Sequence, residues 1–169
     1  MRRVLFLLVA ICFAACGTIG EEYPTHEESS VVGVGDVAPD FTVELLGGER
    51  VTLSELRGEV VLLVLFSHEC PDCKMLMDDM QAARDDFDDW GVRILAIERD
   101  GSVEDVETYM ASHGYDFDVA VDDNRAIYNL YATMYVPRTY LIDSEGIIVH
   151  ATIEYDASYV ARILSAIPQ

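Results

Sequence analysis

Cys70 and Cys73 are separated by two residues in the run Ser67-His68-Glu69-Cys70-Pro71-Asp72-Cys73-Lys74. Such a pair can ligate a metal, close a disulfide, or cycle between dithiol and disulfide. A structural zinc site needs about four ligands. No second cysteine pair of this kind accompanies it, and His26, His68, His113 and His150 show no paired-ligand spacing. A disulfide spanning two intervening residues would restrict little unfolded-chain freedom, because stabilisation grows with loop length. Redox exchange suits the pair best, with the Cys70–Cys73 disulfide as its only redox group and neither organic cofactor nor metal required.

That chemistry depends on what holds the sulfurs. Val60 to Phe66 is a continuous β-branched and aliphatic run, the pattern of a strand buried on both faces of a sheet. Pro71 suits the first turn of a following helix. Cys70 then lies where unpaired amide groups and the helix dipole converge, which favours a thiolate. Cys73 lies one turn further in, placed to attack a mixed disulfide on Cys70. Cys70 is thus the expected nucleophile and Cys73 the resolving thiol.

Glu69 and Asp72 oppose this arrangement, since a carboxylate beside a sulfur favours the neutral thiol. Helix-end effects are typically about 0.3–1 kcal/mol, so one nearby acid cancels much of the benefit. His68 and Lys74 push the other way. His68 reads either as a local proton acceptor or as an exposed loop residue without a role. The balance predicts a reducing pair, not a strongly oxidising one.

Around this centre the pattern alternates. Phe41-Thr42-Val43-Glu44-Leu45 and Arg50-Val51-Thr52-Leu53 flank Gly47-Gly48 as a small hairpin. Ser54 and Glu55 open one helical turn that Gly58 closes. Leu76, Met80, Ala83, Phe87 and Trp90 recur at three- and four-residue intervals, predicting one helix that ends at Gly91. Val92 to Ile97 is the next strand. Ser102 with Asp105 begins a helix carrying Val103, Val106 and Met110 on one face, which Gly114 stops. Phe117 to Val121 reads as a strand and Arg125 to Tyr131 as a short helix. Thr139–Ile142 and Gly146–His150 read as a second hairpin, and Asp156 to Ile167 as a last helix. The order implies one α/β domain with a mixed central sheet covered on both faces.

The 169 residues and 51% hydrophobic content suffice for one domain with a proper core. A net charge of −20 makes nucleic acid an improbable partner, because phosphate repels such a surface. At the N-terminus, Met1-Arg2-Arg3 precedes an apolar run from Val4 to Ala15 that is short for a bilayer span. The polar, acidic stretch from Gly17 to Val34 reads as a tether.

Phe13-Ala14-Ala15-Cys16 resembles the bacterial lipobox, with Phe13 in place of the usual leucine. The resemblance implies a signal peptide over 1–15, lipidation of Cys16, a tether over 16–34 and a domain over 35–169. Ordinary secretion with cleavage after Ala15 is the alternative. In the lipobox reading cleavage removes Cys12 and lipid consumes Cys16, which leaves Cys70 and Cys73 as the free pair; export places them in a compartment where disulfides persist. The implied location is the bacterial cell envelope, on the extracytoplasmic side of a membrane.

A strand, then Cys-Pro-x-Cys-Lys, then a helix, with Val136-Pro137-Arg138-Thr139-Tyr140-Leu141-Ile142-Asp143 downstream, resembles the thioredoxin fold. Gly35-Asp36-x-Ala38-Pro39-Asp40-Phe41 and Leu53-Ser54-Glu55-Leu56-Arg57-Gly58 narrow this to the membrane-anchored thiol–disulfide oxidoreductases of the TlpA and ResA group. The resemblance implies a cis bond before Pro137, where sequence physics alone would favour trans. Val136 would then offer its backbone to an extended substrate strand, beside a pocket ring from Phe66. Implied partners are exported proteins with cysteines, cytochrome precursors among them, a membrane dithiol donor, and the membrane itself through Cys16.

Glu69 replaces a family tryptophan, and Val64 stands where thioredoxin carries a buried acid. Glu98 and Asp100 are candidate substitutes, with solvated loop charge as the competing reading. Two other functions fit parts of the pattern. A peroxidase of peroxiredoxin type would use Ser67 in place of a threonine. A copper chaperone of similar fold would need a wider cysteine spacing plus a histidine such as His113 or His150.

Overall fold

The Val60–Phe66 run forms a strand in which every residue after Val60 is buried. The protein is described by a computed structural model over residues 23–168. The expected signal segment and Cys16 therefore lie outside the described residues.

β1 (Thr42–Glu44) and β2 (Arg50–Thr52) form the predicted antiparallel hairpin, and a 3-10 turn at Leu53–Leu56 follows it. The remaining elements are β3 (Val60–Phe66), α1 (Pro71–Ala82), α2 (Arg84–Asp89), β4 (Val92–Glu98) and α3 (Val103–His113). After them come β5 (Asp118–Val121), α4 (Tyr128–Tyr131), β6 (Arg138–Ile142), β7 (Ile148–Ile153) and α5 (Tyr159–Ala166). The five-stranded sheet has the order β5-β4-β3-β6-β7. β3, β4 and β5 run parallel, while β6 is antiparallel to both of its neighbours.

Alternate side chains of β3 feed two cores, as the two-residue period of a strand requires. Val61, Leu63 and Leu65 pack with Val43 and Val51 of the hairpin and with Tyr128 and Tyr131 of α4. Leu62, Val64 and Phe66 pack under the helices, against Leu76, Met80, Phe87, Val106 and Tyr159. A strand with two dry faces has no room for a polar residue. The sheet is thus mixed and covered on both sides, as the sequence predicts.

Three local expectations need correction. The long helix after Pro71 is interrupted at Ala83, whose φ of −101° and ψ of 17° leave the helical region and separate α1 from α2. Phe87 still reaches the core, but Trp90 follows the end of α2 and is 49% exposed. Val103 begins α3 and faces solvent, so Val106 and Met110 alone carry its buried face. Ser102 does cap α3 through the Asp105 N–H, and Gly114 ends it in the left-handed region at φ 72°.

Packing also starts upstream of Gly35. Ser29 is buried, Ser30 forms an isolated bridge with Ala132, and the Val31 N–H donates to the Tyr131 carbonyl at 3.0 Å. The segment Pro24–Val31 therefore lies on the domain and is not all tether.

Burial holds the Tyr131, Tyr140 and Tyr159 phenols and the Cys73 thiol protonated above their ordinary values. On unfolding these groups return to roughly 10 for tyrosine and 8.5 for cysteine. Above those values the unfolded chain binds fewer protons than the folded one, so stability falls as pH rises. The urea midpoint of the reduced protein is expected to drop steadily between pH 8 and pH 11 (approximate bounds). A flat or rising midpoint over that window would contradict the burial of these groups.

Candidate active site

β3 ends at Phe66, and Ser67–Glu69 turn the chain into α1. Cys70 is the N-cap of α1, with extended backbone at φ −88° and ψ 118°, and Pro71 opens the first turn. Proline loses nothing there, since its missing N–H would have had no helical partner. The Cys70 Sγ accepts the Cys73 N–H at 3.3 Å, in the position where a capping oxygen normally stands. The same sulfur donates to the Val136 carbonyl at 3.7 Å.

That second contact follows from strand pairing. Leu65 on β3 opposes Arg138 on β6, which brings the end of one strand beside the start of the other. The Val136–Pro137 bond immediately before β6 is cis, as the resemblance implies. The Pro137 carbonyl accepts the Glu154 N–H at 2.9 Å, fixing the loop against the end of β7.

The two sulfurs differ sharply. Both are free thiols; Cys70 is half-buried, whereas Cys73 is 0% exposed. Burial pushes the Cys73 thiol far above its usual value, and its contact with Cys70 and the Glu98 charge add to the effect. The arrangement presents one sulfur to an incoming group and keeps the other behind it.

Glu98 departs from the reading as solvated loop charge. It is the last residue of β4, opposite Phe66, and is 0% exposed. One carboxylate oxygen accepts the His68 N–H at 2.6 Å, and the other accepts the Asp100 N–H at 3.2 Å. The His68 ring lies over the same carboxylate, with Nδ1 3.3 Å from Oε2 but outside hydrogen-bond geometry. Gly101 closes the cluster: a Cβ there would come within 3.0 Å of both Glu98 Cγ and His68 Nδ1. Asp100 does behave as surface charge, paired with Arg125 at 2.6 Å and Arg99 at 2.9 Å.

The other predicted residues divide. Val136 and Pro137 meet Cys70 as expected. Phe66 does not line the cleft: it is 0% exposed and stacks on Tyr109 within the helix-side core, because β3 points it inward. Glu69 and Asp72 are exposed, so water screens their effect on the sulfur. Lys74 is engaged by Asp78 at 2.6 Å. Among the described residues no group of three or more His, Cys, Asp or Glu could hold a metal.

Residues 34–151 match the model of the AhpC/TSA family. The chain belongs to that family. It is 34% identical over 147 residues to the thiol-disulfide oxidoreductase ResA of Bacillus subtilis, covering 87% of this chain and 80% of that protein. A ResA of Bacillus thuringiensis is 29% identical over 147 residues, covering 87% and 83%. Among solved structures, a putative protein disulfide isomerase from Bacteroides thetaiotaomicron superposes with a TM-score of 0.75 at 32% identity, over 81% of this chain and 89% of that one. A putative thiol:disulfide interchange protein DsbE from Chlorobium tepidum gives 0.73 at 26%, over 81% and 99%. The fold is thioredoxin-like, and the family member described here is a thiol–disulfide oxidoreductase.

Sequence reasoning missed Arg138 and Tyr135. Arg138 is 1% exposed at the start of β6, and Tyr135 adopts φ 70° just before the cis bond. A basic residue directly after Pro137, heading an otherwise apolar strand, was the available signal.

Two outcomes follow from this geometry. Of the Cys70–Cys73 pair, brief alkylation of the native, reduced protein should modify only Cys70, with Cys73 reacting only after unfolding; peptide mass analysis reads this. Equal labelling of both cysteines in the native state would contradict the burial of Cys73. Glu98→Gln can keep only one of two backbone bonds accepted by the carboxylate, and bonds to charged groups contribute about 1.5–3 kcal/mol. Its unfolding free energy should fall by about that amount, which a urea titration measures.

Proposed function

We propose that this protein reduces disulfides in exported proteins, with Cys70 as the attacking sulfur and Cys73 as the resolving one. The observation that carries the reading is the asymmetry of the pair at the cis-proline loop. Cys70 is reachable and touches the Val136 carbonyl, while Cys73 is enclosed behind it.

The Cys70 thiolate attacks one sulfur of the substrate disulfide, forming a mixed disulfide and releasing the other substrate sulfur as a thiolate. Cys73 then gives up its thiol proton, for which the substrate thiolate released in the first step is the acceptor, and attacks Cys70 Sγ. This closes the Cys70–Cys73 disulfide and releases the second substrate sulfur as a thiolate. A membrane dithiol donor returns two electrons and two protons to regenerate the pair. Val136 supplies backbone donor and acceptor groups to an extended substrate strand, as in other strand-addition modes.

The lipobox-like run ending at Cys16 supports attachment to the extracytoplasmic face of a membrane. The similarity to ResA and DsbE proteins supports the same envelope setting, and cytochrome precursors are a candidate substrate class. Among the described residues no helix is long and apolar enough to cross a membrane.

Cys73→Ser tests the assignment. It should accumulate Cys70 in mixed disulfides with native partners, identifiable by mass spectrometry after non-reducing separation. Trapping by Cys70→Ser in its place would reverse the two roles. Rapid peroxide consumption with a thiol donor, unaccompanied by disulfide reduction, would favour the peroxidase chemistry.

A further inference from the structure

The loop that receives the substrate is held from an unexpected direction, by residues more than a hundred positions earlier in the chain. Tyr135 and Glu154 are two non-glycine residues with left-handed backbone, at φ 70° and φ 62°. Such a conformation is disfavoured in an L-residue and persists where surrounding contacts over-determine it. The two flank the cis-proline site: Tyr135 precedes Val136, and the Glu154 N–H donates to the Pro137 carbonyl. His26 touches both. Its ring meets Tyr135 edge-on at 4.9 Å, and its Nε2 lies 3.3 Å from the Glu154 carboxylate. The Tyr135 hydroxyl also donates to the Pro24 carbonyl at 2.7 Å.

Arg138 provides the second link. Its guanidinium donates to the Met134 carbonyl at 2.9 and 2.8 Å, to Ser30 Oγ at 2.8 Å, to Ser29 Oγ at 2.5 Å and to the Ser29 carbonyl at 3.2 Å. No ion pair of Arg138 is found among the described residues. A buried cation held by neutral oxygens is costly unless every donor is matched. Here the matching oxygens come from only two places, the loop before Val136 and the segment at Ser29–Ser30. The Thr133 N–H adds a bond to the Ser29 carbonyl at 2.9 Å.

We propose that Pro24–Val31 is a strap that sets the backbone of the substrate loop. It acts through Tyr135 and Arg138, which are positioning residues for Val136. Among the described residues the strap makes no hydrogen bond to either sulfur, and its effect is confined to how well an extended, cysteine-bearing polypeptide docks beside Cys70. This inference rests on the reading that Val136 receives the substrate strand.

The test uses the full chain and two readouts. Strap variants are His26→Ala and the double Ser29→Ala, Ser30→Ala; loop variants are Arg138→Met, Arg138→Lys and Tyr135→Phe. Each strap variant should raise KM for a disulfide-bonded protein about fivefold to thirtyfold, the equivalent of one or two hydrogen bonds. Its kcat, and its rate with a small aromatic disulfide, should hold within about twofold. Adding the serine double to Arg138→Met should cost little beyond Arg138→Met alone, because the two act through one contact. Arg138→Lys should recover part of the loss.

Hydrogen exchange of residues 131–138 supplies the second readout, independent of any assay of reduction. It should quicken in the strap variants while β3 and β4 stay protected. Unchanged KM with unchanged exchange in that loop would overturn the proposal, as would parallel losses with protein and small disulfides. If the unaltered protein reduces no protein disulfide, the functional reading fails. The exchange result still decides whether strap and loop are coupled.

Discussion

The pairing of Leu65 with Arg138 is the constraint on which the active site depends. One strand of that pair delivers Cys70 at its exit, and the other receives the chain from Pro137 at its entrance. Neither strand carries the chemistry itself. Their register determines that a sulfur and a carbonyl lie 3.7 Å apart across two loops far separated in sequence. A slip of one residue would reverse which face each β3 side chain meets, exchanging the contents of the two cores. The dry packing on both faces of β3 therefore fixes the site as firmly as any bond within it.

From this frame the asymmetry of the two cysteines follows. The N-cap position leaves Cys70 at the edge, and the first turn of α1 carries Cys73 inward under the loop. Glu98 stabilises the same edge from the neighbouring strand, accepting one N–H from the loop before Cys70 and one from the loop after β4. A buried carboxylate satisfied by backbone donors is a structural tie between two loops. Its charge adds to the factors that keep Cys73 protonated.

Much of this was legible in the sequence, for reasons that differ by residue. β3 could be read because a two-faced strand leaves no polar gap, and Cys70-Pro71 because a proline at a helix start has a local cause. Gly114 could be read because a left-handed helix end favours glycine. The break at Ala83 could not, since apolar spacing of three and four continues across it. Glu98 precedes Arg99 and Asp100 and looks like the start of a charged loop; its burial depends on β4 pairing fully with β3. Phe66 failed for the opposite reason, because an aromatic next to a reactive cysteine suggests a cleft while strand alternation turns it inward. Arg138 finds its Ser29 partner 109 residues away, at a distance that no local pattern encodes.

The strap also decides where the chain enters the molecule. The Tyr135 hydroxyl donates to the Pro24 carbonyl, so the first described residues lie beside the loop that carries Val136. The N-terminal end of the described residues and the reactive sulfur thus neighbour the same loop. A tag, carrier or surface joined there narrows the directions from which a large partner can approach, while small molecules keep their access.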